Sequence, residues 1–346
     1  MNARLAAVST PTERDWNDVV EADPDAMVTQ TQAWIRAIEA TSGWRDSSRM
    51  IDGPSGRIIV PMVRRRGTAG PSRVVASQPS GYGFGGVIAE GGVNLETVGL
   101  VAAMLEADRS LRLSIRPNPL HHEFWNAACG NWIPIPRRAN VLDLTGGPDD
   151  VLARMHQSAR RNVRKAVDQD LEIRRSTDGS NLESFFELME LSRARWAETS
   201  HEPLFIAKAR ARHDTLARWK RIAAAADGCC RVYTAHDKGR PVAGIIVLVG
   251  PQAHYTRGAM DKEPAGRLRA NYALHWQAIR DAAAAGSHWY HMGESGTSSS
   301  LARFKSQLGA VSYDYAEYRR ESIPITRVDS RVRALVKSAV GFREAR

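Results

Sequence analysis

Apolar and polar positions along the chain switch between two rhythms, and the switches mark the elements. Val242-Ala243-Gly244-Ile245-Ile246-Val247-Leu248-Val249 is an unbroken apolar run, the pattern of a strand buried on both faces. Ala253–Ala259 predicts a second strand on which Tyr255 and Arg257, two residues apart, share one face. The Gly/Pro-containing, basic stretch Lys262–Arg269 predicts a loop. Asn271–Ala285 predicts a helix that Gly286 ends, and His288–Met292 a short aromatic strand. A Gly/Ser-rich loop, Gly293–Ser300, then leads to Phe304-Lys305.

Upstream, Val151, Met155, Ala159, Val163 and Ala166 recur three or four residues apart and predict a helix over Asp149–Val167 with one buried stripe. Leu171–Arg174 reads as a strand, and Leu182–Lys220 as largely helical with a break near Ser200–Pro203. In the N-terminal part, helices are expected at Thr31–Ala40 and Leu95–Asp108, and strands at Arg57–Val63 and Leu111–Arg116. Alternating strands and helices predict an α/β layer architecture. Gly146-Gly147-Pro148 is the strongest breaker, so residues 1–147 and 148–324 are expected as two domains, in keeping with the 346-residue length. Residues 325–346 form a basic tail, with an amphipathic helix expected over Arg327–Arg346.

Composition narrows the class. With 43% hydrophobic and 25% charged residues, the chain reads as an ordinary soluble protein. Its longest apolar run is far shorter than the roughly 20 residues a membrane span requires, and the N-terminus lacks the apolar core of a signal peptide. A cytoplasmic protein is expected. Cys129, Cys229 and Cys230 do not make a disulfide framework, and neither they nor the scattered histidines have zinc-site spacing, so no metal is expected. The net charge of +10 favours polyanionic partners such as phosphates, RNA or an anionic membrane surface.

Four segments in order carry a resemblance: Arg161-Asn162-Val163-Arg164-Lys165-Ala166, Arg240-Pro241-Val242-Ala243-Gly244, Asn271-Tyr272-Ala273-Leu274-His275-Trp276, and Phe304-Lys305 followed by Leu308-Gly309. Weaker matches are Gln30-Thr31-Gln32-Ala33-Trp34, Gly43-Trp44 and the Pro79–Gly86 run. Together they resemble the Fem-type (FemABX) aminoacyltransferases of the GNAT superfamily and the related BioF2-like acetyltransferase-domain proteins. The resemblance implies two GNAT-like domains in tandem, with the C-terminal tail returning to pack on the first. It implies transfer of an aminoacyl group from a charged tRNA to an amine, on a peptide or lipid-linked cell-wall precursor. It also places the Phe304-Lys305 pair at the active site.

Acyl transfer to an amine requires a neutral attacking amine, a carbonyl held in line with it, and charge or donors for the developing oxyanion. Lys305 is the residue expected to meet that oxyanion or the leaving ribose oxygen. Tyr255 and Arg257 are expected to face the acyl site, and Glu294 and Asp261 are the carboxylates nearest to it in sequence, candidates to take the amine's proton. Gly266, Arg267, Arg269 and Asn271 are candidates for the donor's phosphates, and Arg160, Arg161, Arg164 and Lys165 for RNA or nucleotide contacts. GNAT enzymes that use acyl-CoA usually show a [Gln/Arg]-x-x-Gly-x-[Gly/Ala] loop; here Glu263 precedes Gly266 by three and Leu268 follows it by two.

On the acceptor side the candidates are Trp34, Arg36 and Tyr82. The Fem pattern's lysine, four residues after the tryptophan, is replaced by Ile38, so the acceptor need not be a UDP-linked precursor. No bound cofactor is expected. Two rivals stand beside this reading: an acyl-CoA-dependent N-acetyltransferase acting on another amine, and a non-catalytic module that binds RNA or a precursor. The tail helix has an alternative fate at an anionic membrane surface.

Overall fold

The computed structural model describes residues 7–41, 43–200, 214–296 and 298–323. The expected tail helix Arg327–Arg346 lies outside them, as do residues 201–213 around the expected helix break. The described strands are β1 (Trp44–Asp46), β2 (Arg49–Gly53), β3 (Gly56–Val60), β4 (Val63–Arg65), β5 (Val74–Ala76), β6 (Ile88–Ala89), β7 (Arg112–Ile115), β8 (Ile133–Asp143), β9 (Glu172–Ser176), β10 (Cys230–Asp237), β11 (Arg240–Leu248), β12 (Ala253–Met260), β13 (Trp289–Glu294) and β14 (Val311–Glu321). The described helices are α1 (Glu13–Ala22), α2 (Gln32–Ala40), α3 (Leu95–Glu106), α4 (His122–Ala128), α5 (Gly147–Arg154), α6 (Gln157–Val167), α7 (Leu182–Ser200), α8 (Leu216–Ala225), α9 (Lys262–Leu268), α10 (Ala270–Ala284) and α11 (Ser299–Gln307).

Eleven strands form one sheet in the order β1-β4-β5-β7-β14-β8-β13-β12-β11-β10-β9, and β2-β3-β6 make a smaller one. The large sheet crosses from one half of the chain to the other without a gap. β8, before the Gly146-Gly147 breaker, pairs with β13 after it; β14, near the end of the described chain, lies between β7 and β8. One apolar core lies between α3, α4 and the first half's strands, with Trp125, Ile115 and Tyr318 at its centre. A second unites both halves: Trp16, Trp34 and Ile38 pack with Phe185, Trp219 and Ile246. A third, on the opposite sheet face, is built from α5, α6 and α10 against Val247, Tyr290 and Met292.

The predicted helix Asp149–Val167 is two helices. Met155 and His156 have extended backbone, and the His156 ring nitrogen accepts the Ser158 N–H at 3.2 Å, capping α6. The apolar stripe survives the break: Val151, Met155, Ala159, Val163 and Ala166 are all buried. The break also serves α11, because the His156 N–H donates to the Gln307 carbonyl at 2.9 Å. Lys262–Arg269, expected as a loop, is instead α9 followed by Arg269 in the left-handed region at φ 58°. Pro264 sits in the first turn of α9, where its missing N–H costs nothing, so the Gly/Pro content misled. The expected strand Arg57–Val63 is divided into β3 and β4 at Pro61, which has no N–H for a ladder.

Candidate active site

Two parallel strands, β12 and β13, pair only at Ala253↔Tyr290 and His254↔His291. Beyond that point they part, β12 following β11 and β13 following β8, and a wedge opens between them. A cleft of about 280 Å³ occupies the mouth of the wedge, lined by Tyr255, Thr256, Arg257 and Glu294, by Arg116 and Arg137, and by the first half's loop at Gly81–Phe84.

Tyr255 and Arg257 both line this cleft but do not share a face. The β11–β12 register pairs Val247 with Tyr255 and Ile246 with Arg257, leaving Thr256 without a partner. This bulge turns the alternation over. Tyr255 therefore points toward α10, its ring 4.9 Å from that of His275. Arg257 points the other way, with its Nε donating to Asp214 at 3.2 Å, Nη2 to the Gly81 carbonyl at 3.3 Å, and its guanidinium 5.6 Å from the Trp219 ring. Burial pushes the Asp214 carboxyl up, but Arg257 and the Trp219 N–H outweigh it and hold the group below its ordinary range. The bulge was invisible in the sequence, where Tyr-Thr-Arg reads as plain alternation.

Lys305 lies behind the Gly293–Glu294 edge of the wedge, outside the cleft lining, and is only 1% exposed. It lies on α11, which Ser298 caps by accepting the Leu301 N–H at 3.3 Å. Leu308-Gly309 ends the helix: Gly309 at φ 96° lets the Ala310 N–H reach back to the Lys305 carbonyl at 3.2 Å. The Lys305 Nζ donates to the carbonyls of Glu294 at 2.8 Å and Gly293 at 3.2 Å. Burial pushes its pKa down to about 7, against the opposing pull of the Glu294 charge. Phe304 faces the α10 side, its ring 5.1 Å from Tyr272 and 5.4 Å from His275. Burial lowers the pKa of His275 to about 3 and raises that of Tyr255 to about 12, so both rings are neutral across the physiological range.

The far wall was missed in the sequence. Tyr318 pairs with Ile115, Tyr315 with Arg137, and Glu294 with Ala139. Cross-strand partners share a face, so Arg116, Glu317, Tyr315, Arg137 and Glu294 line up on one side of β7, β14, β8 and β13. Glu317 Oε2 accepts from Arg116 at 2.8 Å and from Arg137 at 2.9 Å, and Oε1 accepts from Arg319 at 2.7 Å. Burial would raise the Glu317 pKa, but these guanidiniums hold it down at about 2. Glu294 accepts from the Tyr315 hydroxyl at 2.5 Å. Residues some 200 positions apart meet here, and only the sheet register brings them together. His254 and His291, buried at the root of the wedge with Phe84 packed on both rings, were also missed.

The remaining candidates lie elsewhere. Trp34 donates to the Tyr82 carbonyl at 3.0 Å and Tyr82 to Thr41 at 3.0 Å, so both are buried supports of the Gly81–Phe84 loop. Arg36 is on the surface, paired with Glu13 at 2.8 Å, in a separate groove. Asp261 precedes α9 and does not line the cleft, and Asn271 is turned onto the Met260 sulfur at 3.0 Å. Arg160, Arg161, Arg164 and Lys165 line one outer groove; Lys165, Arg267 and Arg269 line the next, with Lys165 and Asp168 common to both. Gly266 is in α9, its carbonyl accepting from Arg269 at 2.8 Å. The two basic sets assigned separately from sequence thus form one surface, outside the layer of α6, α9 and α10. Among the described residues, no cluster of side chains is suited to hold a metal, and no helix is long and apolar enough to cross a membrane.

Residues 153–306 match the family model of the acetyltransferase (GNAT) domain, a span that contains β12, the wedge and Lys305. The chain carries a GNAT-type acyltransferase domain over these residues. The crystal structure of FemX superposes with a TM-score of 0.66 over 90% of this chain and 96% of that one, at 13% identity. A conserved protein of unknown function from Bacteroides thetaiotaomicron does so with a TM-score of 0.51, covering 91% of this chain and 98% of its own, at 9% identity. At these identities the likeness is one of fold, and it extends well beyond the GNAT-domain match into the N-terminal half. A sequence search of curated proteins returned no match.

Proposed function

We propose that this acyltransferase moves an aminoacyl group from a charged tRNA to a primary amine, with a peptide or lipid-linked cell-wall precursor as the acceptor class. The observation that carries the reading is Lys305, a buried amine at the wedge with a pKa near neutrality. As an ammonium it stabilises negative charge on the carbonyl oxygen and hands a proton to the departing ribose oxygen. The attacking ammonium first loses one proton to Glu294. The neutral nitrogen then forms the new C–N bond, the ester C–O bond breaks as Lys305 protonates the ribose oxygen, and the second proton shed by the nitrogen restores the Lys305 ammonium. Both substrates are bound together, so no covalent intermediate on the protein is required.

The donor side favours tRNA over acyl-CoA. A diphosphate held by a loop relies on free backbone N–H groups. Here α9 winds that stretch into a helix, and the Arg269 carbonyl takes the Tyr272 and Ala273 N–H groups at 2.9 and 3.3 Å. What the surface offers instead is a spread of arginines and lysines suited to a polyphosphate backbone.

The test is a transfer assay with tRNA charged with radiolabelled amino acids and a panel of amine acceptors, including peptidoglycan precursor peptides. Label appearing in an acceptor, and at least tenfold slower in Lys305→Ala, about 1.4 kcal/mol of barrier, is the expected result. Label transferred from acetyl-CoA but never from tRNA would assign the donor to CoA. Near-normal turnover in Lys305→Ala would remove its assigned role.

A further inference from the structure

We propose that the acceptor carries a free carboxylate close to its amino group, and that Arg116 and Arg137 bind that carboxylate while Glu294 receives the ammonium. This rests on the acyl-transfer reading above and names the acceptor's chemistry within the same cleft.

The donors on the far wall exceed their acceptors. Arg116 is 8% exposed, yet its Nε has no hydrogen-bond partner among the described residues, and neither does that of Arg137. Both guanidiniums already share one carboxylate oxygen, Glu317 Oε2, and Arg319 takes the other. The two donors fill both lone pairs of Oε2. Arg116 Nη1 makes no bond among the described residues, and Arg137 Nη1 reaches only Glu294, at a long 3.5 Å. Buried N–H groups without acceptors are costly, and two adjacent guanidiniums are built to grip a carboxylate by parallel bonds. The third cleft arginine, Arg257, differs: Asp214, Thr256 and Gly81 satisfy it.

Spacing decides the rest. Glu294 Oε2 lies 3.5 Å from Arg137 Nη1, so the group that attracts an ammonium and the group that attracts a carboxylate are neighbours on one wall. A molecule whose amine and carboxylate are separated by one or two carbons satisfies both ends at once, which is the arrangement of an α-amino acid. A simple alkylamine leaves the two arginines unmet, and a site with buried polar groups rejects an analogue that leaves them unpaired. A phosphate would meet the same guanidiniums, so it is the arm that separates the two chemistries.

The experiment measures binding without any donor. The full chain is mixed with the common amino acids in both enantiomers, and bound species are found by saturation-transfer NMR. The strongest is titrated as the free acid and as its carboxamide, beside O-phosphoethanolamine. The expected result is a free acid at least tenfold tighter than its carboxamide and than the phosphate, with the preference falling below about twofold in Arg137→Gln, whose folded state is checked by circular dichroism at the assay temperature. Arg137→Lys keeps the charge but loses the fork, and should recover only part of the preference. Equal binding of acid and carboxamide, a tighter phosphate, a preference that survives in Arg137→Gln, or no bound amino acid at all would each overturn the proposal. Because no tRNA is present, failure here is separate from failure of aminoacyl transfer. Conversely, transfer to a carboxamide acceptor as fast as to its free acid would sink this proposal and leave that function standing.

Discussion

The molecule contains two wedges made the same way, and only one is open. In the first half the parallel strands β5 and β7 pair from Val74↔Arg112 to Ala76↔Ser114 and then part, as β12 and β13 do in the second. The first wedge is filled by its own chain. The Ser77 hydroxyl accepts the Arg116 N–H at 2.9 Å, the Gly85 N–H donates to the Arg116 carbonyl, and Gly85 bridges to Pro117. Gln30 and Gln78 complete the plug: Gln30 donates to the Gly85 and Val87 carbonyls at 2.8 and 3.0 Å, and Gln78 to the Thr29 carbonyl at 2.6 Å. The second wedge has no such insertion, and its root keeps His254 Nδ1 and both His291 nitrogens without partners among the described residues. A gap between strands becomes a site when no segment of the chain is inserted between them. The plugging loop then does a second job, since its tip at Gly81–Phe84 forms the lid of the open cleft.

The largest expected effect comes from Glu317, which ties the end of the plugged wedge to the wall of the open one. Glu317→Ala leaves the buried Arg116 and the half-buried Arg137 with no shared carboxylate and should cost about 3–5 kcal/mol in chemical denaturation. A loss under about 1 kcal/mol would mean the two wedges are not coupled through this carboxylate. Gly85→Ala attacks the plug alone. Its Cβ would lie 2.8 Å from the Ser77 Oγ and 2.9 Å from the Gln78 Cγ, so destabilisation of about 1–3 kcal/mol is expected. If the wild-type melting temperature is retained, the plug is looser than drawn.

Lys305 sharpens the open side. Its folded pKa, about 7, lies below its ordinary value of 10.5, so the unfolded chain binds more protons between those limits and stability rises with pH across that window. Lys305→Met should therefore be more stable than wild type below pH 7, by up to about 5 kcal/mol if the full difference is expressed, and the advantage should shrink as pH rises toward 10.5. Urea denaturation at several pH values would measure this, and a constant difference would contradict the burial argument. In catalysis the same group should give a rate that falls as pH rises through about 7, because the ammonium is the working form. The smallest expected change is on the outer surface. Arg164→Ala or Arg269→Ala should weaken tRNA binding a few-fold and lower the slope of log affinity against log salt by about 1, with the melting temperature unchanged. An unchanged slope in both would remove this groove from the donor's path.

Much of the second half was legible. The apolar run at Val242–Val249 became β11, Asn271–Ala285 became α10 to within a residue, and Gly286 lies just past its end at φ 83°. These succeed because burial on both faces and helix termination are local demands that few residue types satisfy. Basic surface residues were also recognisable as such, although their merging into one surface was not. The misses share a cause. The bulge at Thr256, the helix at Lys262–Leu268 and the break at Met155-His156 change no hydrophobic position, so the periodicity is blind to them.

By itself, then, the sequence determined which segments must be buried, where the helix over Asn271–Ala285 runs and ends, and that a lysine follows a Gly/Ser loop. Tertiary structure decided what those residues can do. Lys305 is an ordinary amine until α11 folds its ammonium against the Gly293 and Glu294 carbonyls and burial lowers its proton affinity. Arg116, Arg137 and Glu317 are ordinary charges until β14 slips between β7 and β8 and sets them side by side. Proton affinity depends on desolvation and on charges a few ångströms away, and those distances exist only after segments far apart in the chain have met.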